Sequence, residues 1–287
     1  MRSIAAGVTP VLFILANPTL LSAECCSRIV CAANDSSVER SFRHGRWFVI
    51  ETKNFQVCSV ASEHHARSTA AWAEELRSAL GSKWLGNTST GVWNPKCQIV
   101  VHPDQNSYVT ATGRGSQRTA GSSLVNVVRG RITSRRIDVL SGQPSIDLPA
   151  LPHELTHVVL KDRFPTKALP HWADEGTAIL ADSKSKQDRH CGDLKEAIRS
   201  RTTFRAVSLL TLEGYPQPNQ WGVFYAQSSS VVSFLVNRKT PEHFINFLEQ
   251  ASASGYDLAL RSCYGIADAA DLDLQWRRST AELLKRS

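Results

Sequence analysis

Residues 151–160 read LPHELTHVVL, and residues 169–180 read LPHWADEGTAIL. His153 and His157 stand four apart, with Glu154 beside the first. On a helix, residues four apart share a face, with Cβ atoms about 5–6 Å apart. Two imidazoles so placed can converge on one ion, and neutral imidazole binds zinc at about 2.0–2.1 Å. Glu154 sits next to the first ligand without being on the metal, and it can reach a metal-bound water and take its proton. The pattern HExxH thus combines two ligands and a general base. A purely structural reading is an amphipathic helix with polar positions among Leu151, Leu155, Val158, Val159 and Leu160. Polar groups in such a helix are partly buried and need partners, and a metal is one good partner.

A catalytic zinc site has three protein ligands and one open position. The second stretch offers Glu175, with 17 residues between it and His157. That gap suits the end of one helix, a loop with Pro165 and Pro170, and the start of a second helix packed beside the first. Asp174 competes for the same place, and adjacent residues point in different directions, so only one of the two carboxylates can be on the metal. The other can orient a ligating histidine. His171 falls in the turn that enters the second helix and is read as a surface or supporting residue. A donor for the developing oxyanion is needed beside the metal. Tyr225 in FYAQSSS is the candidate, set against a core tyrosine with a satisfied hydroxyl; Tyr215 in EGYPQPNQW is a loop alternative.

These two segments resemble the gluzincin metallopeptidases, in which HExxH is followed by a glutamate ligand on the next helix, often within Trp-x-x-Glu-Gly. Trp172, Glu175 and Gly176 match that pattern. The chain is most similar to small exported peptidase-MA-like proteins, through NFQV, AEELRSALG, the two zinc segments and FYAQSSSVVSFL. The resemblance runs in element order over roughly residues 50–280 and is strong at 151–180 and 224–235. It implies a zincin-like fold, His153, His157 and Glu175 as Zn2+ ligands, and Glu154 as general base. The Gly-x-Met-x-Asn motif of the clan's aminopeptidases is absent, so the resemblance does not extend to aminopeptidase activity. The glutamate gap is slightly shorter than in the large members, and their downstream histidine has no recognisable counterpart.

Elements that position these residues follow from the patterning. RWFVIETKNFQVCSV (46–60) reads as a strand or hairpin, and CQIVVHP (97–103) as a short buried strand. SSLVNVVRG (122–130) and RITSRRIDVLSG (131–142) read as a hairpin around Gly130. Residues 61–86 read as a helix, with Gly81 a plausible terminator. Adjacent His64 and His65 on it point too far apart to share a metal and are read as surface residues. Further helices are expected at 148–162, with Asp147 as N-cap and Pro149 in the first turn, and at 172–182, 191–200, 221–237, 241–252 and 271–285. The expected class is α+β: a small sheet with one covering helix (46–147), then a mainly helical half (148–287).

The first 23 residues carry Arg2, an apolar run and small residues up to Ala23, the layout of a secretory signal peptide. Residues 24–45 read as a polar, cysteine-bearing tethered segment. No later stretch is long and apolar enough to span a membrane. All seven cysteines follow residue 23, and in an exported protein they are expected to pair, leaving one odd. Cys58–Cys97 and Cys191–Cys263 are the expected pairs, and no CxxC zinc spacing is present. Net charge is +7, with its one dense run, RGRITSRR, read as a solvated strand face. That run lacks interleaved aromatics, so no nucleic-acid partner is expected. The resulting reading is an exported zinc metallopeptidase acting on peptides or proteins. The alternative is a non-catalytic zinc-binding scaffold or interaction protein, although structural zinc sites are usually closed by a fourth protein ligand, and none is evident.

Overall fold

Alternating apolar and polar residues in the first half build one mixed sheet. The strands are β1 (Val38–His44), β2 (Trp47–Thr52), β3 (Phe55–Ser59), β4 (Cys97–His102), β5 (Gly121–Val128) and β6 (Arg131–Leu140), in the spatial order β1-β2-β3-β4-β6-β5. The computed structural model describes residues 37–86, 91–141 and 148–286, with side chains as far as residue 282. The proposed signal segment, Cys25, Cys26, Cys31 and Asp147 lie outside the described residues. All the described residues fall in one compact unit.

The sheet is antiparallel at β1/β2, β2/β3 and β5/β6, and parallel at β3/β4 and β4/β6. The parallel step from β3 to β4 needs a crossover, which helix α1 (Glu63–Leu85) supplies. The β5–β6 hairpin turns at Arg129 and Gly130, both at positive φ (51° and 77°), as a two-residue turn that follows the sheet twist requires. Register places Ile50, Val57, Ile99, Ile137 and Ser123 in one row across five strands. The four aliphatic residues of that row are fully buried, under α1 and under α3 (Leu151–Arg163), which lie on the same face and touch each other. Ser123 shares that inner face on the edge strand, which bears on the site below.

Between β4 and β5 lies a short helix, α2 (Gln105–Thr112). After α3 come α4 (His171–Ile179), α5 (Lys184–Arg199), α6 (Ala206–Leu210), α7 (Trp221–Arg238), α8 (Pro241–Ser254), α9 (Tyr256–Tyr264) and α10 (Ala269–Arg286). The fold is α+β, with a six-stranded sheet and a mainly helical C-terminal half. Helices α2, α6 and α9 fall outside the expected helices, although α9 is amphipathic and buries Ala259, Leu260 and Cys263; α2 buries only Tyr108, and its cap Asp104 accepts from the Ser107 backbone N–H at 2.8 Å. Among the described residues, no helix is long and apolar enough to cross a membrane.

Several expectations are corrected. Helix α1 does not stop at Gly81, which is buried within it; it runs on to bury Trp84 and Leu85 and ends at Gly86, at φ 58°. His65 is buried, not on the surface, with Nδ1 2.9 Å from Ser59 Oγ; His64 is exposed. Val38–His44, expected in a tethered segment, adds an edge strand to the sheet. Cys58, Cys97, Cys191 and Cys263 are all free thiols. Cys97 pairs in register with Phe55, and Cys58 with Val100. The two cysteines are therefore three residues out of register and, by the alternation of side chains, on opposite faces of the sheet.

RGRITSRR is not a uniformly solvated face. Arg135 is buried and pairs with Asp162 of α3 at 2.7 Å, and Arg136 pairs with Asp138 at 2.7 Å. Asp162 also accepts from Trp93 Nε1, and the Arg77 and Arg135 guanidinium groups lie 4.5 and 4.8 Å from the Trp93 ring centre. This buried group ties the C-terminal turn of α3 to β6. Removing one member leaves an uncompensated buried charge. Asp162→Ala is therefore expected to lower unfolding free energy by about 3–5 kcal/mol, measured by denaturant titration.

Candidate metal centre

Helix α3 begins at Leu151, one residue after its cap Ala150 and with Pro152 in its first turn. Leu151, at the helix start, is fully buried in the core; the expected cap Asp147 lies outside the described residues. Leu151, Leu155, Val158 and Val159 are at most 1 % exposed. Burying that stripe turns His153, Glu154 and His157 to the opposite side, where all three are half-buried. Helix α4 starts at His171, just after Pro170. A Cβ on Gly176 would lie 2.6 Å from Val232 Cγ2 and 2.7 Å from the Ser228 carbonyl oxygen of α7. Only glycine allows α4 to approach α7 this closely, and the same turn of α4 carries Glu175 toward α3.

His153, His157 and Glu175 each present one donor atom, and these atoms lie within 4.8 Å of one another. Glu175 Oε2 is 3.4 Å from His153 Nε2 and 3.9 Å from His157 Nε2. Donors held at about 2.0–2.1 Å around a tetrahedral ion stand roughly 3.4 Å apart; the His153–Glu175 separation matches this and the His157–Glu175 separation is wider, so the group could close on a metal ion. Both imidazoles are fixed from behind. His157 Nδ1 donates to Asp174 Oδ1 at 2.8 Å, and His153 Nδ1 donates to Asp182 Oδ2 at 3.1 Å. Carboxylates only accept, so each Nδ1 carries the hydrogen and each Nε2 is turned toward the common point. Asp182 is itself held by Lys186 Nζ at 3.0 Å.

The electrostatics agree with this donor set. Burial opposes charge on His153, but Asp182, Glu175 and Glu154 outweigh it and hold the imidazole up to about 10. Burial likewise opposes charge on His157, where Asp174 and Glu175 prevail and hold it up to about 9. Burial would raise Glu175, yet the two histidines and Tyr215 bring it down to about 2. The pocket thus demands positive charge, which protons supply in its metal-free form and a divalent cation can supply in their place. Among the described residues, this is the one group of three acidic, histidine or cysteine side chains that could hold a metal ion.

Glu154 accepts from Ser123 Oγ at 2.8 Å through Oε2. Gly121, on the same face of β5, has Glu154 Cγ 2.7 Å from where its Cβ would be. The edge strand therefore carries a glycine where the glutamate stem passes and a hydroxyl where its carboxylate ends. Period-two alternation links those two positions, but nothing in the sequence of β5 says which helix residue they meet.

All of these groups open into one cleft of about 900 Å³, also lined by His171, Tyr215 and Tyr225. Tyr225, on α7, has its hydroxyl pushed up to about 12 by burial and by the nearby Glu175 and Glu154 carboxylates, so it keeps its proton at neutral pH. Tyr215, on the loop before α7, donates its hydroxyl to Glu175 Oε1, and its ring lies 4.4 Å from that of His171. Asp182 and Ser123 are the participants that sequence reasoning missed. Asp182 lies beyond α4 and outside any motif, and its approach to His153 depends on how α4 ends.

The family model described as the Peptidase MA superfamily matches residues 140–282, a stretch that includes α3, α4 and the helices after them. The match supports a zincin-like peptidase family for this part of the chain, and with it a peptidase-like hydrolytic function. No curated protein matches the chain.

Removing either supporting carboxylate frees a ring to turn. Asp174→Ala and Asp182→Ala are each expected to weaken zinc binding about 10–100-fold, read by competition with a chromogenic chelator. Equal affinity in wild type and both variants would show that neither carboxylate orients a ligand.

Proposed function

We propose that this chain is an exported zinc-dependent metallopeptidase that hydrolyses peptide bonds in peptide or protein substrates. The observation that carries the reading is the convergence of His153 Nε2, His157 Nε2 and Glu175 on one point, with the Glu154 carboxylate beside it. His153, His157 and Glu175 would hold Zn2+, which when bound supplies Lewis-acid activation of water and of the scissile carbonyl. Three protein ligands leave an open position, as catalysis requires and a closed structural site does not. Export is supported by the signal-like first 23 residues. Neither a nucleic-acid partner nor a membrane span after signal removal is part of this reading.

Glu154 takes a proton from the attacking water as its oxygen bonds to the carbonyl carbon, then delivers that proton to the amine nitrogen as the carbon–nitrogen bond breaks. Ser123 restrains Glu154 through Oε2, while Oε1 passes close to Gly121. Tyr225 retains its proton and lines the cleft, so its hydroxyl can donate to the oxyanion; Tyr215, engaged with Glu175, is the second candidate. The substrate lies along β5, an edge strand whose outer backbone groups can pair with an extended peptide.

Glu154→Gln is expected to bind zinc normally and to lose hydrolysis of a denatured protein mixture by about a hundredfold to ten-thousandfold. Zinc present with no hydrolysis by wild type would sink the enzyme reading. Ser123→Ala is expected to lower kcat about tenfold, in line with the loss of one hydrogen bond to a charged group, with zinc content unchanged. Ser123→Thr, which keeps the hydroxyl, is expected to recover most of that loss; an unchanged kcat in the alanine variant would count against restraint by Ser123.

A further inference from the structure

The charges that line the cleft divide into paired and unpaired groups. Its carboxylates are all engaged: Glu154 with Ser123, Asp174 with His157, Glu175 with both histidines and Tyr215, and Asp182 with His153 and Lys186. Apart from Lys186, which pairs with Asp182, its cations behave differently. Arg118 and Arg189 line the cleft and are exposed. Neither makes an ion pair or a hydrogen bond with any described residue. Lys161, half-buried on the same face of α3 as Glu154 and His157, donates only to the Lys167 carbonyl at 3.3 Å, so its charge has no acidic partner. These three cations come from separate walls: Arg118 from the loop leading into β5, Lys161 from the last turn of α3, and Arg189 from α5.

A charged side chain without a partner in a cleft lining is available to a ligand at little desolvation cost, whereas the carboxylates are already satisfied. A peptide lying along β5 passes Arg118 where the strand begins, and it must share the cleft with α3 and α5. Its backbone pairing is sequence-neutral, so selectivity falls to the side chains that meet the rim. We infer that this rim selects acidic substrates: peptide segments carrying Asp or Glu on the residues flanking the bond to be cut, recognised by Arg118, Arg189 and Lys161. The inference rests on the peptidase reading for its choice of a peptide as ligand. It goes beyond that reading by naming the substrate's charge.

The test uses the zinc-loaded full chain carrying Glu154→Gln, so that binding is read without turnover. Fluorescein-labelled short peptides, identical except for Glu, Gln or Lys at alternate positions, are titrated by anisotropy at low and high salt. The Glu peptide is expected to bind about tenfold tighter than the Gln peptide at low salt, with the difference shrinking as salt screens the rim. Adding Arg118→Glu and Arg189→Glu is expected to abolish or reverse the preference, and Arg118→Gln with Arg189→Gln to give an intermediate ratio. Reversing two exposed arginines outside the cleft, Arg205→Glu and Arg278→Glu, is expected to leave the ratio in place. Equal binding of the Glu and Gln peptides would overturn the inference, as would an equal loss of preference in the remote double variant, which would make it a net-charge effect. Hydrolysis of the same peptides by the wild-type protein is followed in parallel. Cleavage without charge preference defeats the selectivity and leaves the peptidase intact, whereas charge-selective binding without any cleavage defeats the peptidase and leaves the selectivity standing.

Discussion

The structure turns on the burial of one face of α3. Leu151, Leu155, Val158 and Val159 have no solvent exposure worth the name, and the helix cannot bury them without carrying two imidazoles and a carboxylate into a half-buried cleft. Groups in that position must be satisfied or left out of the fold. Each partner at the site answers that demand. Asp174 and Asp182 take the outer ring nitrogens, Glu175 takes the inner ones, and Ser123 takes the glutamate. The buried Asp162–Arg135 pair anchors the far end of the same helix, so its rotation is held at both ends.

Close approach is the second requirement, and glycine meets it twice. Gly121 lets the Glu154 stem pass against the edge strand, and Gly176 lets α4 rest on the α7 backbone. In both places a single added carbon would fall well inside van der Waals contact. Neither glycine needs an unusual φ; what each supplies is space. Charge is divided as well: carboxylates are paired with the imidazoles they favour, and two exposed arginines of the lining, Arg118 and Arg189, are left unpaired. A cleft arranged in this way could hold a cation among His153, His157 and Glu175, and its unpaired arginines add positive charge to its lining.

Much of this was legible in the sequence wherever one element's own periodicity was enough. The HExxH spacing implies a shared face as soon as a helix is granted. The hairpin at Arg129 and Gly130 follows from strand patterning around a glycine. The apolar recurrence over 61–86 marks α1. Errors arose where a local signal competed with packing. Gly81 reads as a stop, but Trp84 and Leu85 still had core to fill. Cysteines in neighbouring strands read as a pair, but register put them on opposite faces. An arginine-rich strand reads as solvated, but Arg135 met an aspartate twenty-seven residues away.

The sequence by itself determined which residues have the chemistry: two histidines and a glutamate within five residues of one helix, and an acidic pair, Asp174 and Glu175, in the next. The residues alone set Asp174 and Glu175 in competition, and the resemblance implied Glu175 as the ligand; what stayed open is how the two carboxylates divide the histidine nitrogens, Glu175 at both Nε2 atoms and Asp174 at His157 Nδ1. Only the tertiary structure decided that, since the answer depends on the rotation of α4 about its own axis. That rotation is set by Gly176 against α7, and not by anything within residues 171–179 alone. It also decided that Asp182 and Ser123 belong to the site, because both reach it across elements whose packing no local pattern encodes. Side-chain identity is a property of the chain, but the direction in which a side chain points is a property of what its helix packs against.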